Sequence, residues 1–214
     1  NFKNLKKIFK KVKLYKCDFN DYSSTKKILY KIKPCAIFHL ASNADVRLSF
    51  DNPKEIINNN NNITLNLLEA VRKLKIDPII LICSTSEVYG TVKIENTPIS
   101  EKNMLNPASP YAVSKTFQDL LSQTYYKNFN LKIIITRMFS YFNSRRNNLF
   151  SSNWANQIAE IERGKLKILK HGNLNSIRTI IGINDAMEAY WKAATLGKIG
   201  QIYNIGGGKT IKIK

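Results

Sequence analysis

Glycine is scarce in this chain of 214 residues, and no G-x-x-G-x-x-G occurs. Such a turn lets backbone N–H groups hold a phosphate at a helix N-terminus. Gly206-Gly207-Gly208 follows a strand pattern, but no helix pattern opens after it, so a tight turn is expected. Cysteine is scarce too. Cys17, Cys35 and Cys83 sit at or near strand patterns with no C-x-x-C spacing, so reduced, buried thiols are expected and no metal. No apolar run is long enough to span a bilayer, and the first residues lack an apolar signal core. A cytoplasmic location without a membrane partner is therefore expected. Acidic residues number 15 against 34 Lys+Arg, a formal net charge of +19. A basic balance of that size is a reason to weigh nucleic-acid binding. Yet the lysines are spread along a composition skewed toward Lys, Asn and Ile, with one dense block from Lys3 to Lys16. No helix combines clustered arginines with a groove-reading motif, so no specific nucleic-acid partner is expected.

What is present is a core and a pattern. The hydrophobic fraction of 43% supplies one domain, or one and a part. Ile79-Ile80-Leu81-Ile82-Cys83 reads as a strand buried on both faces. Ser84-Thr85-Ser86-Glu87-Val88-Tyr89-Gly90 comes next, at the strand end where open α/β sheets bind ligands. In Ser109-Pro110-Tyr111-Ala112-Val113-Ser114-Lys115, Ser109 is a helix cap and Pro110 a first helical residue. Tyr111 and Lys115 then lie on one helical face. A neighbouring ammonium lowers a phenol's pKa from about 10 toward neutrality, which makes a general acid/base for a hydroxyl.

The strand–TSEVYG stretch, the later SPYAVSK and their order resemble extended short-chain dehydrogenases acting on nucleotide sugars, and most closely the GDP-mannose 4,6-dehydratase family. The likeness covers nearly the whole chain. It implies an α/β, doubly wound, Rossmann-like parallel sheet. Residues 1–140 would be a partial dinucleotide-binding domain. Residues 141–214 would mix late Rossmann elements with part of a small substrate-binding region. The first segment resembles the part of the family's chain just beyond its second strand, and the end falls where the family continues its small domain. An internal fragment lacking the first β-α-β unit is thus expected, one that binds NADP(H) weakly by itself.

Taken in order, Val12, Leu14 and Tyr15 are expected to form a short strand. Asp18 and Phe19 resemble the family's acidic turn against adenine, and Asp21 or Ser23 starts a helix to about Ile32. Cys35 to Leu40 reads as a buried strand. His39-Leu40-Ala41-Ser42-Asn43-Ala44 resembles the turn under the cofactor's ribose and pyrophosphate, with Leu40, Ala41, Ser42 and Ala44 as contacts; small residues there admit close backbone approach. His39 is read as a packed strand-end histidine. Ile56, Asn60, Ile63, Leu67, Val71 and Leu74 make the core stripe of a helix from Pro53 to Leu74, with Asn60 the polar exception. After an Ile-rich strand, Lys132 to Thr136, the stretch Phe139 to Arg146 aligns with a loop lying over nicotinamide and sugar. It keeps Arg145 and Arg146 and has Tyr141 in place of a histidine. The resemblance makes Tyr141 and Arg146 cofactor contacts, beside Tyr111 and Lys115. An amphipathic helix from Asn153 to Gly164 resembles the substrate-side helix. Ser86, Asn153 and Arg178 are the implied substrate contacts, Arg178 meeting the diphosphate. Asp185 to Leu196 reads as a helix, and Gln201 to Ile205 as a strand.

The activity implied is conversion of GDP-mannose to GDP-4-keto-6-deoxymannose, with NADP as cofactor and NAD as the other candidate. Thr85, Glu87, Tyr111 and Lys115 would be catalytic, and a homo-oligomer is implied for the full-length protein. Elimination moves a second proton, so it needs a carboxylate besides the Tyr/Lys pair. Glu87 stands two residues from Thr85, on the same side of an extended segment. A 4-reductase or epimerase of the same superfamily needs no Glu87 and is the first alternative. An inactive remnant is the second.

Overall fold

A computed structural model of the chain describes residues 3–146 and 149–214. The isoleucine-rich runs build its centre. Strands β1 (Ala36–His39), β2 (Ile79–Thr85), β3 (Ile133–Met138) and β6 (Ile202–Ile205) form one parallel sheet in the order β1-β2-β3-β6. Registers such as Ile80 opposite Ile133 and Ile135 opposite Ile202 align the apolar runs. Alternation along each strand then feeds two cores. Ile80, Ile82, Ile133 and Ile135 pack with Leu67, Leu68, Val71 and Tyr125 on one face. Leu81, Cys83, Ile134 and Met138 pack with Ala186, Tyr190 and Ala194 on the other.

Helices cover both faces, as expected of a doubly wound sheet. On the first lie α1 (Tyr22–Ile32), α3 (Pro53–Leu74) and α4 (Pro110–Phe129); on the second lies α6 (Ile183–Leu196). Their starts follow the capping residues. Asp21 accepts from the Ser23 N–H at 3.0 Å, and Ser109 accepts from the Ala112 N–H at 3.1 Å ahead of Pro110. Ile56, Asn60, Ile63, Leu67 and Val71 are buried, as the stripe predicts. A short α2 (Val46–Asp51), capped by Asp45, precedes α3 and has no counterpart in the sequence pattern.

Five expectations are corrected. Val12 to Tyr15 is no strand; the segment pairs with nothing in either sheet and is exposed. Cys35 to Leu40 is not a buried strand. It shrinks to β1, whose Ala36 is exposed and whose Ile37 and Phe38 are half-buried, because among the described residues β1 has one strand neighbour. The thiols are free but not uniformly buried: Cys35 is exposed, Cys17 intermediate, and Cys83 alone buried. The 139–146 loop contains β4 (Ser140–Phe142), which joins β5 (Ile177–Gly182) and β7 (Thr210–Lys212) in a small second sheet. The amphipathic helix α5 (Phe150–Glu162) starts three residues earlier than expected, with Gly164 just beyond its end.

Candidate active site

Because the main sheet is parallel, the carboxyl ends of its strands share one edge. The turn after β1 and the 84–87 segment after β2 therefore open on the same crevice. Two adjoining spaces occupy it. A groove of about 790 Å³ is lined by Asp18, Phe19, Leu40, Ala41, Ser42, Ala44 and Arg146, among others. A smaller cavity of about 240 Å³ is lined by Thr85, Ser86, Glu87, Tyr111, Lys115, Tyr141 and Arg146, with Cys83 and Tyr190. Leu40, Ser42, Ala44 and Arg146 belong to both walls, so the two spaces are continuous. The Arg146 guanidinium stands at the junction, donating to the Ala44 carbonyl at 2.7 Å and the Tyr141 hydroxyl at 2.9 Å.

Thirteen of the fifteen residues singled out in the sequence come together in this way. Asn153 and Arg178 do not. Asn153 is exposed on α5 and bonded to Gln157, and Arg178 is exposed on β5 opposite Ile211; neither lines the groove or the cavity.

Within the cavity the geometry departs from the simple picture in two ways. Thr85 and Glu87 do not share an extended segment. Thr85 ends β2 and caps a 3₁₀ turn, Ser86–Tyr89, with the Glu87 N–H donating to its hydroxyl at 3.3 Å. Glu87 thereby stays exposed at the cavity rim while Thr85 is buried. The second departure is electrostatic. Tyr111 is not drawn toward neutrality; burial pushes its phenol up to about 12, outweighing a hydrogen bond with Thr85 and the nearby positive charge of Arg146. The Lys115 ammonium does not reach it as a partner. It donates to the Cys83 carbonyl at 2.5 Å, and burial brings its own value down to about 8.

His39 is packed as expected. It lies 2.8 Å from the Thr64 hydroxyl, and burial, aided by the Lys115 charge, lowers it to about 3. Sequence reasoning missed the buried Arg137–Asp119 pair. Arg137 donates to Asp119 at 2.9 and 3.1 Å, to the Tyr89 hydroxyl at 2.8 Å and to the Glu101 carbonyl at 3.0 Å. These bonds brace the turn that carries Glu87. The signal was available: Asp119 falls one helical turn beyond Lys115, on a buried face that also holds Gln118 and Ser122.

No group of three or more His, Cys, Asp or Glu among the described residues is placed to hold a metal, and none of their helices is long and apolar enough to cross a membrane. The fold has close relatives of known structure. It superposes on RMD from Pseudomonas aeruginosa complexed with NADPH with a TM-score of 0.86 and 27% identity, covering 93% of this chain and 67% of that one. A dTDP-D-glucose 4,6-dehydratase from Dictyostelium discoideum is 31% identical over 96% of this chain and 49% of its own length. A GDP-6-deoxy-D-mannose reductase, also from Pseudomonas aeruginosa, is 28% identical over 85% of this chain and 60% of its own. The chain thus spans about half of the curated relatives' length. From residue 1 to residue 214 it matches the family model described as GDP-mannose 4,6 dehydratase, and to that family the chain belongs.

Proposed function

We propose that the chain carries the reacting groups of a nucleotide-sugar 4,6-dehydratase that converts GDP-mannose to GDP-4-keto-6-deoxymannose. One observation supports this best: Thr85, Glu87, Tyr111 and Lys115 share one cavity, and that cavity opens into an elongated groove walled by small residues. The groove suits a nicotinamide dinucleotide, with NADP the first choice. Ala41, Ser42 and Ala44 leave backbone close to a ligand, Asp18 and Phe19 meet the adenosine end, and Arg146 and Tyr141 stand where groove and cavity join. When bound, the nicotinamide supplies the acceptor for the C4 hydride and returns that hydride at C6.

This chain's residues handle the protons. Tyr111 takes the proton of the C4 hydroxyl as that carbon is oxidised, and Thr85 hydrogen-bonds the C4 oxygen. Thr85 and Arg146 are the groups that pull the Tyr111 phenol down against its burial. Lys115 holds the cofactor ribose. The new ketone acidifies the C5 proton, which Glu87 removes as the C6 hydroxyl leaves as water. Ser86, at the rim, contacts the sugar, and Asn153 and Arg178 bind the nucleotide if the small sheet and α5 close toward the crevice. The working protein is a homo-oligomer in the cytoplasm.

Product analysis tests the reading. The native protein gives a 4-keto-6-deoxy sugar nucleotide, Tyr111→Phe gives none, and Glu87→Gln retains some C4 oxidation without elimination. Undiminished elimination by Glu87→Gln, or a C4 epimer as the only product, overturns it.

A further inference from the structure

We infer that Asn204 is a positioning residue that holds two things against β6: the turn carrying Glu87, and the 99–101 segment that follows it in the chain. Its bearing on catalysis rests on the function proposed above; its geometry does not. Among the described residues β6 pairs with β3 alone. The Asn204 N–H goes to no strand, and the Glu101 carboxylate accepts it at 2.7 Å. The side chain works in both directions. Its Nδ2 donates to the Ile99 carbonyl at 3.1 Å, and its Oδ1 accepts from the Tyr89 hydroxyl at 2.8 Å. These partners lie 103 to 115 positions away in sequence, so the contacts are tertiary and belong to no local turn.

The bond to Tyr89 is the one that reaches the cavity. Tyr89 ends the 3₁₀ turn Ser86–Tyr89 that presents Glu87, and it is buried. Its hydroxyl has one proton to give, and Asn204 takes it. Arg137, opposite Asn204 in the β3–β6 register, donates to the same oxygen at 2.8 Å. The phenol is therefore fixed in direction as well as place. Glu87 itself is exposed, and the bonds that locate it are made by its backbone: its N–H goes to Thr85, and its carbonyl receives the Gly90 N–H at 3.1 Å. The carboxylate thus goes where the turn goes, and the turn is tied to the sheet through Tyr89. Only a side chain that both donates and accepts satisfies Ile99 and Tyr89 together. Aspartate keeps the acceptor for Tyr89, loses the donation to Ile99 and sets a second carboxylate beside Glu101. Leucine, of similar size, loses both side-chain bonds and leaves the Tyr89 proton unpaired.

Carboxyl ¹³C spectra of the glutamate-labelled chain at fixed pH, with the Glu87 signal assigned through Glu87→Gln, test the inference together with amide hydrogen exchange. In Asn204→Leu the Glu87 carboxyl resonance moves and the Gly90 amide exchanges about tenfold faster or more, while the Ile80 to Ile82 amides keep their rates. In Asn204→Asp the Glu87 resonance and the Gly90 amide stay as they are, because Tyr89 keeps its acceptor. There the amide at position 204, its Glu101 acceptor repelled, exchanges about tenfold faster. Tyr89→Phe removes the same bond from the other side and carries the test, with the leucine variant's expected results, if that variant does not fold. An unmoved Glu87 resonance in the leucine or phenylalanine variant overturns the inference. So does equal acceleration of the β2 amides, or a Glu87 displacement in the aspartate variant equal to that in the leucine variant. These readouts need no turnover, so failure of the dehydratase reading leaves them intact and is recognised separately.

Discussion

At Lys115 burial and charge pull against each other. Its value of about 8 lies below the ordinary 10.5, so at pH 7 the folded protein bears the cost of an ammonium out of water. The cost is fully present below pH 8 and falls away as pH rises toward 10.5. Lys115→Met should raise stability at pH 7 by about 1–2 kcal/mol, with the bond to Cys83 lost on the other side; an unchanged or lower urea midpoint contradicts this. A destabilising residue kept at a cavity floor is what a functional site tolerates. His39 gives a second prediction. Its folded value of about 3 lies below the unfolded 6.5, so the unfolded chain binds the proton first as pH falls. Its share of stability is present above pH 6.5 and is lost progressively down to pH 3, about 2 kcal/mol of it by pH 5. Denaturation at pH 7 and pH 5 should show this difference shrink in His39→Gln. An equal loss in both proteins removes His39 as the cause.

Among the elements, the 3₁₀ turn after β2 depends on Gly90. Its φ of +65° lies in the left-handed region, and a Cβ there would meet the Asn106 carbonyl oxygen at 1.9 Å. Gly90→Ala should cost about 2 kcal/mol or more and disturb the neighbouring Glu87, read as a fall in melting temperature. A melting temperature within a degree of the native one rejects that account. Elements were legible in the sequence wherever a period or a cap spoke. The stripe predicts a helix over roughly Pro53 to Leu74, and Asp21 or Ser23 predicts one from about Tyr22 to Ile32; both are found, and the Ile-rich strands need only their runs. The failures have physical causes. Six-residue α2 is too short to show a period. The exposure of β1 depends on which strands flank it, and its own four residues do not carry that information. The buried face of α4 is polar, so a search for apolar stripes passes over Asp119 and its Arg137 partner. Spacing placed Tyr111 and Lys115 on one helical face. It did not reveal that the ammonium would turn to a carbonyl of β2, and the expected fall of the phenol's pKa went with it.

For the molecule as a whole, a formal net charge of +19 is a standing self-repulsion. Lys6, Lys7, Lys10, Lys11, Lys13 and Lys16 lie exposed on one segment, so counterions reach them freely. Raising salt from about 0.01 M to about 0.15 M shortens the screening length from about 30 Å to about 8 Å. The melting temperature should rise by about 3 °C or more over that interval; a fall would show that ion pairs outweigh the repulsion. Among the described residues β1 pairs on one side alone, and its other flank carries the last consequence. A row of amides and carbonyls facing outward is a zipper with one side missing, able to accept any extended peptide of suitable alternation. Concentrated solutions of this chain should therefore cohere first along Ala36 to His39, and a proline or lysine planted in that short row is the simplest way to keep the molecules apart.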